Sequence, residues 1–425
     1  MSKKQITMTP DMAKLVNKRV VLEHLIGHSP TSRAEIARFL HLSKPTVSLI
    51  IAELIDDGLV RELGSRKSGQ GRPSIEVELN PRARYAIGIE LDVASASLMV
   101  TDLLSRPWND AAPVMQAALD TATPEQAALS LAALIKRVTA DLARHADGPC
   151  PRLVGVGIGV PAVVNSQTME VISSNPLHWS GPAPFGNLVQ ERLNVPVLVT
   201  QRVMAAAWAE HTFGNAREAA SLVYARFGSG VASGIILNDQ LYTGTSNFAG
   251  DIANMTFLPH DAGANLVQPV SLQALVTREA ITARARQLLL QGAAASSCAL
   301  DAAGGDPQRI TLEMLCQGAL QHDALARRVI VEAGQYIGVA VANLIGILNP
   351  ALVVLGGPLT QAGDVLLEAV REQVWRCCNR HEHGSVRIVF SELGDRAPAL
   401  GAANLAIRQF LSPTPLPDIH TPLAG

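Results

Sequence analysis

Aromatic side chains are scarce, at 4% of the chain. Ala, Val, Leu and Ile carry the apolar content instead, which suits α/β packing better than a β-sandwich. Cysteine is rarer still. Five residues, two of them adjacent at Cys377 and Cys378, make neither a disulfide framework nor a C-x-x-C metal pattern, so free thiols in a reducing compartment are expected. No uninterrupted apolar run approaches the ~18 residues of a membrane helix. The opening stretch MSKKQITMTPDMAK lacks the apolar core of a signal peptide. Together these absences predict a cytoplasmic protein with no membrane contact. A large net charge is missing too, the formal value being −2.

What is present is a chain of 425 residues, 48% hydrophobic and 17% charged, long enough for two or three domains with full cores. Its charge is unevenly placed. Residues 1–84 hold 14 basic side chains against 9 acidic, and the remainder holds 21 against 28. A basic head on an acidic body suggests that only the head meets a polyanion.

Within the head, Leu15, Val16, Val20, Leu22, Leu25 and Ile26 fall mainly at helical spacing over Asp11–His28. The run Ser29-Pro30-Thr31-Ser32 breaks that helix and offers N-caps for a second, Arg33–Leu40. After a short turn, Ser43 caps a third helix that tolerates Pro45 in its first turn, buries Val47, Ile50, Ile51, Leu54 and Ile55, and stops at Gly58. Two helices across such a turn make the helix-turn-helix pattern, whose last helix enters the major groove by its N-terminal part. Ser43, Lys44, Thr46 and Ser48 are therefore the expected DNA contacts on that helix. A helical hairpin with a solvated polar face would share the pattern. The following residues favour DNA: Leu59–Leu63 and Ser74–Leu79 read as strands around the loop GSRKSGQGRP. This predicts a wing whose glycines allow close backbone approach and whose Arg66, Lys67 and Arg72 meet the duplex. A flexible basic linker is the plainer alternative for that loop.

The stretch SKPTVSLIIAELIDDGLVRELGSRKSGQGRPSIEVELN resembles the N-terminal domain of repressors in the ROK family (repressors, open reading frames, sugar kinases). The chain from about Tyr85 to about Leu411 resembles the ROK domain itself. The resemblance implies an α/β protein: a winged helix-turn-helix over 11–82, then a two-lobed ribonuclease H-like domain of the actin-like ATPase and sugar kinase type over 83–411. Its lobe boundary is expected near 200, with the C-terminal helix returning to the first lobe. The Pro-rich residues 412–425 read as a disordered tail. Strand candidates are Ala86–Leu91, Ser97–Asp102, Leu153–Val160, Val195–Thr200, Ser221–Phe227, Val231–Leu237 and Ala351–Leu355. The principal helices between them are Pro124–His145, Val203–Phe213, Leu325–Leu348 and Gly363–Cys377.

Measured against the kinase motifs that the resemblance brings, this sequence departs at each chemical position. Where kinases of the family carry D-x-G-G-T, the chain has Glu90-Leu91-Asp92-Val93-Ala94, without the glycines and hydroxyl that cradle phosphate. The second phosphate turn is partly kept as Gly228–Gly234, and the adenosine-side motif as Asn349–Gly357. The catalytic Asp of the family's Asn-Asp pair falls on Arg202, after Gln201. A guanidinium stays protonated and cannot accept a hydroxyl proton. The zinc motif is reduced to Ala249–Asn254 and Val270–Gln273, with His260 as a lone ligand type. No metal and no cofactor are expected, and no kinase activity.

The residues that would line the sugar pocket are Asn175, Gln201, Arg202, Asp251, Asn254 and Gln273. They could bind a sugar or, through Arg202, a phosphorylated one; alternatively Arg202 pairs internally with Asp251 or Glu90. The sequence thus predicts a regulator, by family habit a repressor of carbohydrate-related genes, that is a homodimer or homotetramer on a palindromic operator. Two other readings stay open: a sugar kinase with an appended head, and a regulator whose body answers to a protein partner.

Overall fold

The computed structural model describes residues 10–66, 74–110, 114–145, 151–258, 269–292, 297–378 and 386–411. Lys67, Arg72, His260 and the tail 412–425 lie outside the described residues.

The head begins with α1 (Pro10–His28), a two-residue strand β1 (Thr31–Ser32), α2 (Arg33–Phe39) and α3 (Lys44–Asp56), followed by β2 (Val60–Arg66) and β3 (Ser74–Leu79). A capping box fixes the start of α2. The Ser32 hydroxyl accepts from the Glu35 amide at 3.2 Å, and the Glu35 carboxylate accepts from the Ser32 amide at 2.9 Å. β2 and β3 pair antiparallel from Val60↔Leu79 to Arg66↔Ser74, with an irregularity at Glu62/Gly64. Gly64 takes the left-handed φ of +94° that this bulge needs. The strand β1, unforeseen in the sequence, pairs with β3 and makes the wing a three-stranded sheet.

The body's first lobe comprises β4 (Arg84–Asp92), β5 (Ser95–Asp102), β6 (Met115–Ala118), α4 (Pro124–Arg144), β7 (Arg152–Val160), the hairpin β8 (Val163–Asn165) and β9 (Glu170–Ser173), α5 (Phe185–Leu193) and β10 (Val197–Gln201). Its sheet runs β10-β7-β4-β5-β6, with β4 antiparallel to β5 and parallel to β7. Helix α6 (Arg202–Phe213) leads to the second lobe. There β11 (Leu222–Phe227), β12 (Val231–Leu237) and β13 (Gln240–Leu241) are followed by β14 (Thr256–Phe257), β15 (Val270–Ser271), α7 (Gln273–Val276), α8 (Arg278–Leu290), α9 (Cys298–Ala302), α10 (Leu312–Leu320), α11 (Ala324–Leu348), β16 (Leu352–Gly356), α12 (Asp364–Cys377) and β17 (Arg387–Phe390). The second sheet runs β13-β12-β11-β16-β17. Numbered by position within each lobe, both sheets have the order 3-2-1-4-5, with the same pairing directions. This duplicated sheet is the two-lobed ribonuclease H-like architecture, with one core over each sheet.

Helix α11 corrects one sequence expectation. By length and composition it is apolar enough to cross a membrane, because its apolar residues are interrupted mainly by Gly, Gln, Tyr and Asn and its charges, Arg327, Arg328 and Glu332, lie in its first half. Most of its apolar residues from Leu325 to Ile345 are buried in the core of the second lobe, whereas Tyr336 and Ile347 are exposed.

The last helix, α13 (Ala397–Leu411), lies across β4 and β7 and against α6. Glycines make the approach possible. A Cβ on Gly157 would stand 1.9 Å from the Ala402 carbonyl oxygen, and one on Gly88 would stand 1.9 Å from that of Ala399. The end of α13 reaches the head. Ile407 and Leu411 share one buried cluster with Val21, Leu22 and Leu25 of α1, Val77 of β3 and Val154 of β7. Head and body are thus welded through a common core, reinforced where the Arg84 guanidinium donates to the Asp57 carbonyl at 2.8 Å.

Candidate DNA interface and interlobe site

Helix α3 presents its N-terminal half as the helix-turn-helix pattern requires. Lys44 and Ser48 are exposed and Thr46 is half-buried, over a buried face of Val47, Ile50, Ile51 and Leu54. Ser43 is the N-cap: its hydroxyl accepts from the Thr46 amide at 3.2 Å and lies 2.7 Å from the Thr46 hydroxyl. Two of the four side chains expected on this helix therefore engage each other. Arg66 is the last residue of β2, opposite Ser74. The carboxylates toward the helix C-terminus are neutralised from α1, Glu53 by Lys14 at 2.6 Å and Asp57 by Lys18 at 2.8 Å.

Between α1 and α2, a cleft of about 500 Å³ is lined by His24, His28, Thr31, Glu35, Arg38, Phe39 and His41. His24 is buried and stacks on His28, with ring centroids 4.6 Å apart, and both rings abut Phe39. Burial, and then repulsion from His28, hold the His24 imidazolium below its ordinary pKa of 6.5. The unfolded chain therefore takes up this proton at higher pH than the folded one. Stability that His24 contributes is present above about pH 6.5 and declines as pH falls below it. The melting temperature is expected to drop between pH 7.5 and 5.5, with a shallower drop in His24→Phe; equal slopes in the two proteins would refute this assignment.

Between the lobes the structure gathers a buried ion-pair network. Arg202, the first residue of α6, is 5% exposed. Its Nη1 lies 3.2 Å from Asp92 Oδ1 and 3.6 Å from Glu90 Oε1, both on β4. From β11 in the second lobe, Arg226 Nη2 comes to 3.2 Å from the same Glu90 oxygen. Burial raises the Glu90 pKa against the pull of Arg226 and Arg202, and burial with Arg226 nearby lowers that of Arg202. Sequence reasoning missed Arg226. Its signal was a lone cation inside an otherwise apolar strand. Of the two internal partners weighed for Arg202, the structure gives Glu90 and adds Asp92; Asp251 pairs elsewhere.

The remaining pocket candidates form two separate contacts. Gln201 donates from Nε2 to the Asn247 carbonyl at 2.8 Å, and Asn254 donates from Nδ2 to Asp251 Oδ2 at 2.9 Å. Asn175, Asp251 and Asn254 are exposed, while Gln201 and Gln273 are half-buried. Among the described residues, no hydrogen bond ties Asn175 or Gln273 to the other four. Glu210, the next acid along α6, is fully buried and accepts from the Asn215 and Leu393 amides at 3.2 Å each. It braces a loop and does not face the cleft residues.

A basic winged helix ahead of a duplicated kinase-type frame defines the class. The ROK family model matches residues 114–409, and the MarR family model matches 19–71. The chain belongs to the ROK family, in the form that carries a DNA-binding head. The putative xylose repressor of Caldicellulosiruptor sp. (strain Rt8B.4) is 28% identical, across 94% of this chain and 98% of its own length. Among solved structures, a ROK family transcriptional regulator described as a homolog of the E. coli MLC protein aligns with a TM-score of 0.79 at 21% identity, covering 94% of this chain and 98% of that one. A ROK family glucokinase from Streptomyces griseus, in complex with glucose and AMPPNP, aligns with a TM-score of 0.64 at 21% identity, covering 76% of this chain and 99% of that one. The fold of the body therefore occurs in a kinase as well as in a regulator.

Proposed function

We propose that this chain is a transcription regulator, a repressor of carbohydrate-related genes, whose body carries out no phosphoryl transfer. The head carries the reading: α3 and the wing project from a core shared with the body, so a change in the body reaches the DNA-contacting elements. Lys44 and the wing cations Arg66, Lys67 and Arg72 would hold phosphates, while Ser43, Thr46 and Ser48 would lie along the groove. Two copies on a palindromic site, as a homodimer or homotetramer, would place two such heads on successive half-sites.

Against turnover stands Arg202. Sugar phosphorylation needs a carboxylate to take the proton of the attacking hydroxyl, and Arg202 stands there buried in ion pairs with Glu90 and Asp92. With its charge already balanced, the open polar residues Asn175, Asp251 and Asn254 suit hydroxyl groups better than phosphate. A neutral sugar is thus the proposed effector class, a change from the anionic ligand that a free Arg202 suggested.

Mobility shift of the full chain on DNA upstream of its own gene tests the proposal. Binding should weaken steeply with salt, and Lys44→Ala should weaken it on all sequences while reducing the log–log salt slope by about 1. Absence of binding, or binding indifferent to salt, would overturn it.

A further inference from the structure

The exposed face of α3 is unusual for a helix that reads bases. From Lys44 to Asp56 it carries no Arg, Asn or Gln, and Lys44 at its first position is the one side chain there able to make a two-pronged contact, with guanine. Its one long acceptor, Glu53, lies toward the C-terminal end and is held by Lys14 and Lys18. The Ser43 and Thr46 hydroxyls meet each other at the cap. What remains outward is Lys44, Pro45, Ser48, Leu49, Ala52 and, in the last turn, Asp56. Leu49 is 58% exposed, one turn beyond Pro45 and flanked by Ser48 and Ala52 on the same stripe.

A single exposed leucine is ordinary on a protein surface. Leu49 differs because it is the largest apolar side chain on a face that has few polar alternatives and that the helix-turn-helix arrangement would turn toward a major groove. The apolar feature of that groove is the C5-methyl group of thymine. Lys44 and the basic wing supply sequence-independent attraction to the phosphates, and the neutralised Glu53 and Asp57 do not oppose it.

We infer that Leu49, supported by Ala52, sets operator specificity by packing on thymine methyl groups, so that this head reads DNA by apolar contact more than by hydrogen bonds. The inference rests on the proposal that the head binds DNA. Each thymine methyl desolvated against Leu49 is worth roughly fourfold in affinity, about the value of one buried methylene. Two symmetric half-sites would make that roughly fifteenfold.

The test starts from in vitro selection of random-sequence duplex by the full-length protein. The selected duplex is then synthesised with thymine or with deoxyuridine, which differs only by that methyl, and titrated with wild type and Leu49→Ala. Leu49 is exposed, so the variant is expected to keep the wild-type circular dichroism and melting temperature. The expected result is a loss of roughly fourfold to fifteenfold on deoxyuridine for wild type, with little or no difference between the two duplexes for Leu49→Ala. Equal wild-type binding to both duplexes would overturn the inference while leaving DNA recognition intact. So would a deoxyuridine penalty that persists in Leu49→Ala, since another residue would then read the methyl. Failure to select any sequence would instead overturn the DNA-binding reading itself.

Discussion

Replacing Glu90 with alanine is expected to lower the melting temperature by about 4–7 °C. Glu90 is the acid shared by Arg202 from the first lobe's edge and Arg226 from the second lobe. Its side chain and both guanidinium groups are nearly excluded from solvent. Removing one partner of a buried ionic network leaves uncompensated charge in a medium that solvates it poorly, at about 3–5 kcal/mol. At about 1.5 °C per kcal/mol for a domain of roughly 330 residues, that gives the range stated. The cause is charge and not volume, which a second variant separates. Glu90→Leu combined with Arg202→Met and Arg226→Met removes the whole network and should recover much of the loss. If the triple variant is no more stable than Glu90→Ala, the network is not what holds this region. Because Glu90 and Arg226 stand in different lobes, the same substitution is expected to loosen the lobes relative to each other, visible as a larger radius of gyration in solution scattering.

Gly157→Ala is expected to be nearly as severe and to damage the head as well as the body. The added methyl would sit 1.9 Å from the Ala402 carbonyl oxygen and 2.4 Å from its carbon. Both belong to the α13 backbone, so no side-chain rotation relieves the clash. Helix α13 must lift off β7, and its other face is equally constrained: a Cβ on Gly401 would stand 1.8 Å from the Ala205 carbonyl oxygen in α6. Overpacking of this kind costs about 1–3 kcal/mol, occasionally more; contact with two backbone atoms places it at the upper end, about 3 kcal/mol or about 4 °C. Because Ile407 and Leu411 of α13 complete the head's core, a displaced helix also withdraws support from α1. Gly157→Ala should therefore weaken DNA binding although it lies outside the proposed interface. Gly346→Ala is the control for the loss of a glycine as such, since its φ is not left-handed and the added methyl meets no atom within 4 Å. A melting temperature for Gly157→Ala within 2 °C of wild type would show that α13 is less firmly seated than its geometry indicates.

How much of this was legible beforehand follows from the range of the interactions involved. Local signals carried the head. Ser32 and Ser43 cap helices because their hydroxyls reach amides three residues on, and such short-range geometry is written in spacing. The strand Val231–Leu237 was read with the bounds it has in the structure, since its apolar run and flanking turns are equally local. The pairing of Thr31 and Ser32 with β3 was not legible, because those residues lie in a cap sequence and their partners are more than forty residues away. The interlobe site shows the same limit. Arg202 was found because a family motif pointed to its position. Arg226 has no such pointer, and only the meeting of β11 with β4 across the lobes gives it Glu90 as a partner. The pocket candidates came from motif positions too. The structure divides them into a Gln201–Asn247 contact, an Asp251–Asn254 contact and a buried Arg202, a division that depends on side-chain reach across loops.

The central claim is that the head of this chain recognises particular DNA sequences, and competition binding tests it most directly. The full-length protein, held on a labelled duplex obtained by selection, is challenged at physiological salt with unlabelled duplexes of the same or scrambled sequence. The account predicts that the selected sequence competes about 10³-fold or more effectively, the margin typical of specific protein–DNA recognition. Equal competition by the two duplexes would contradict it.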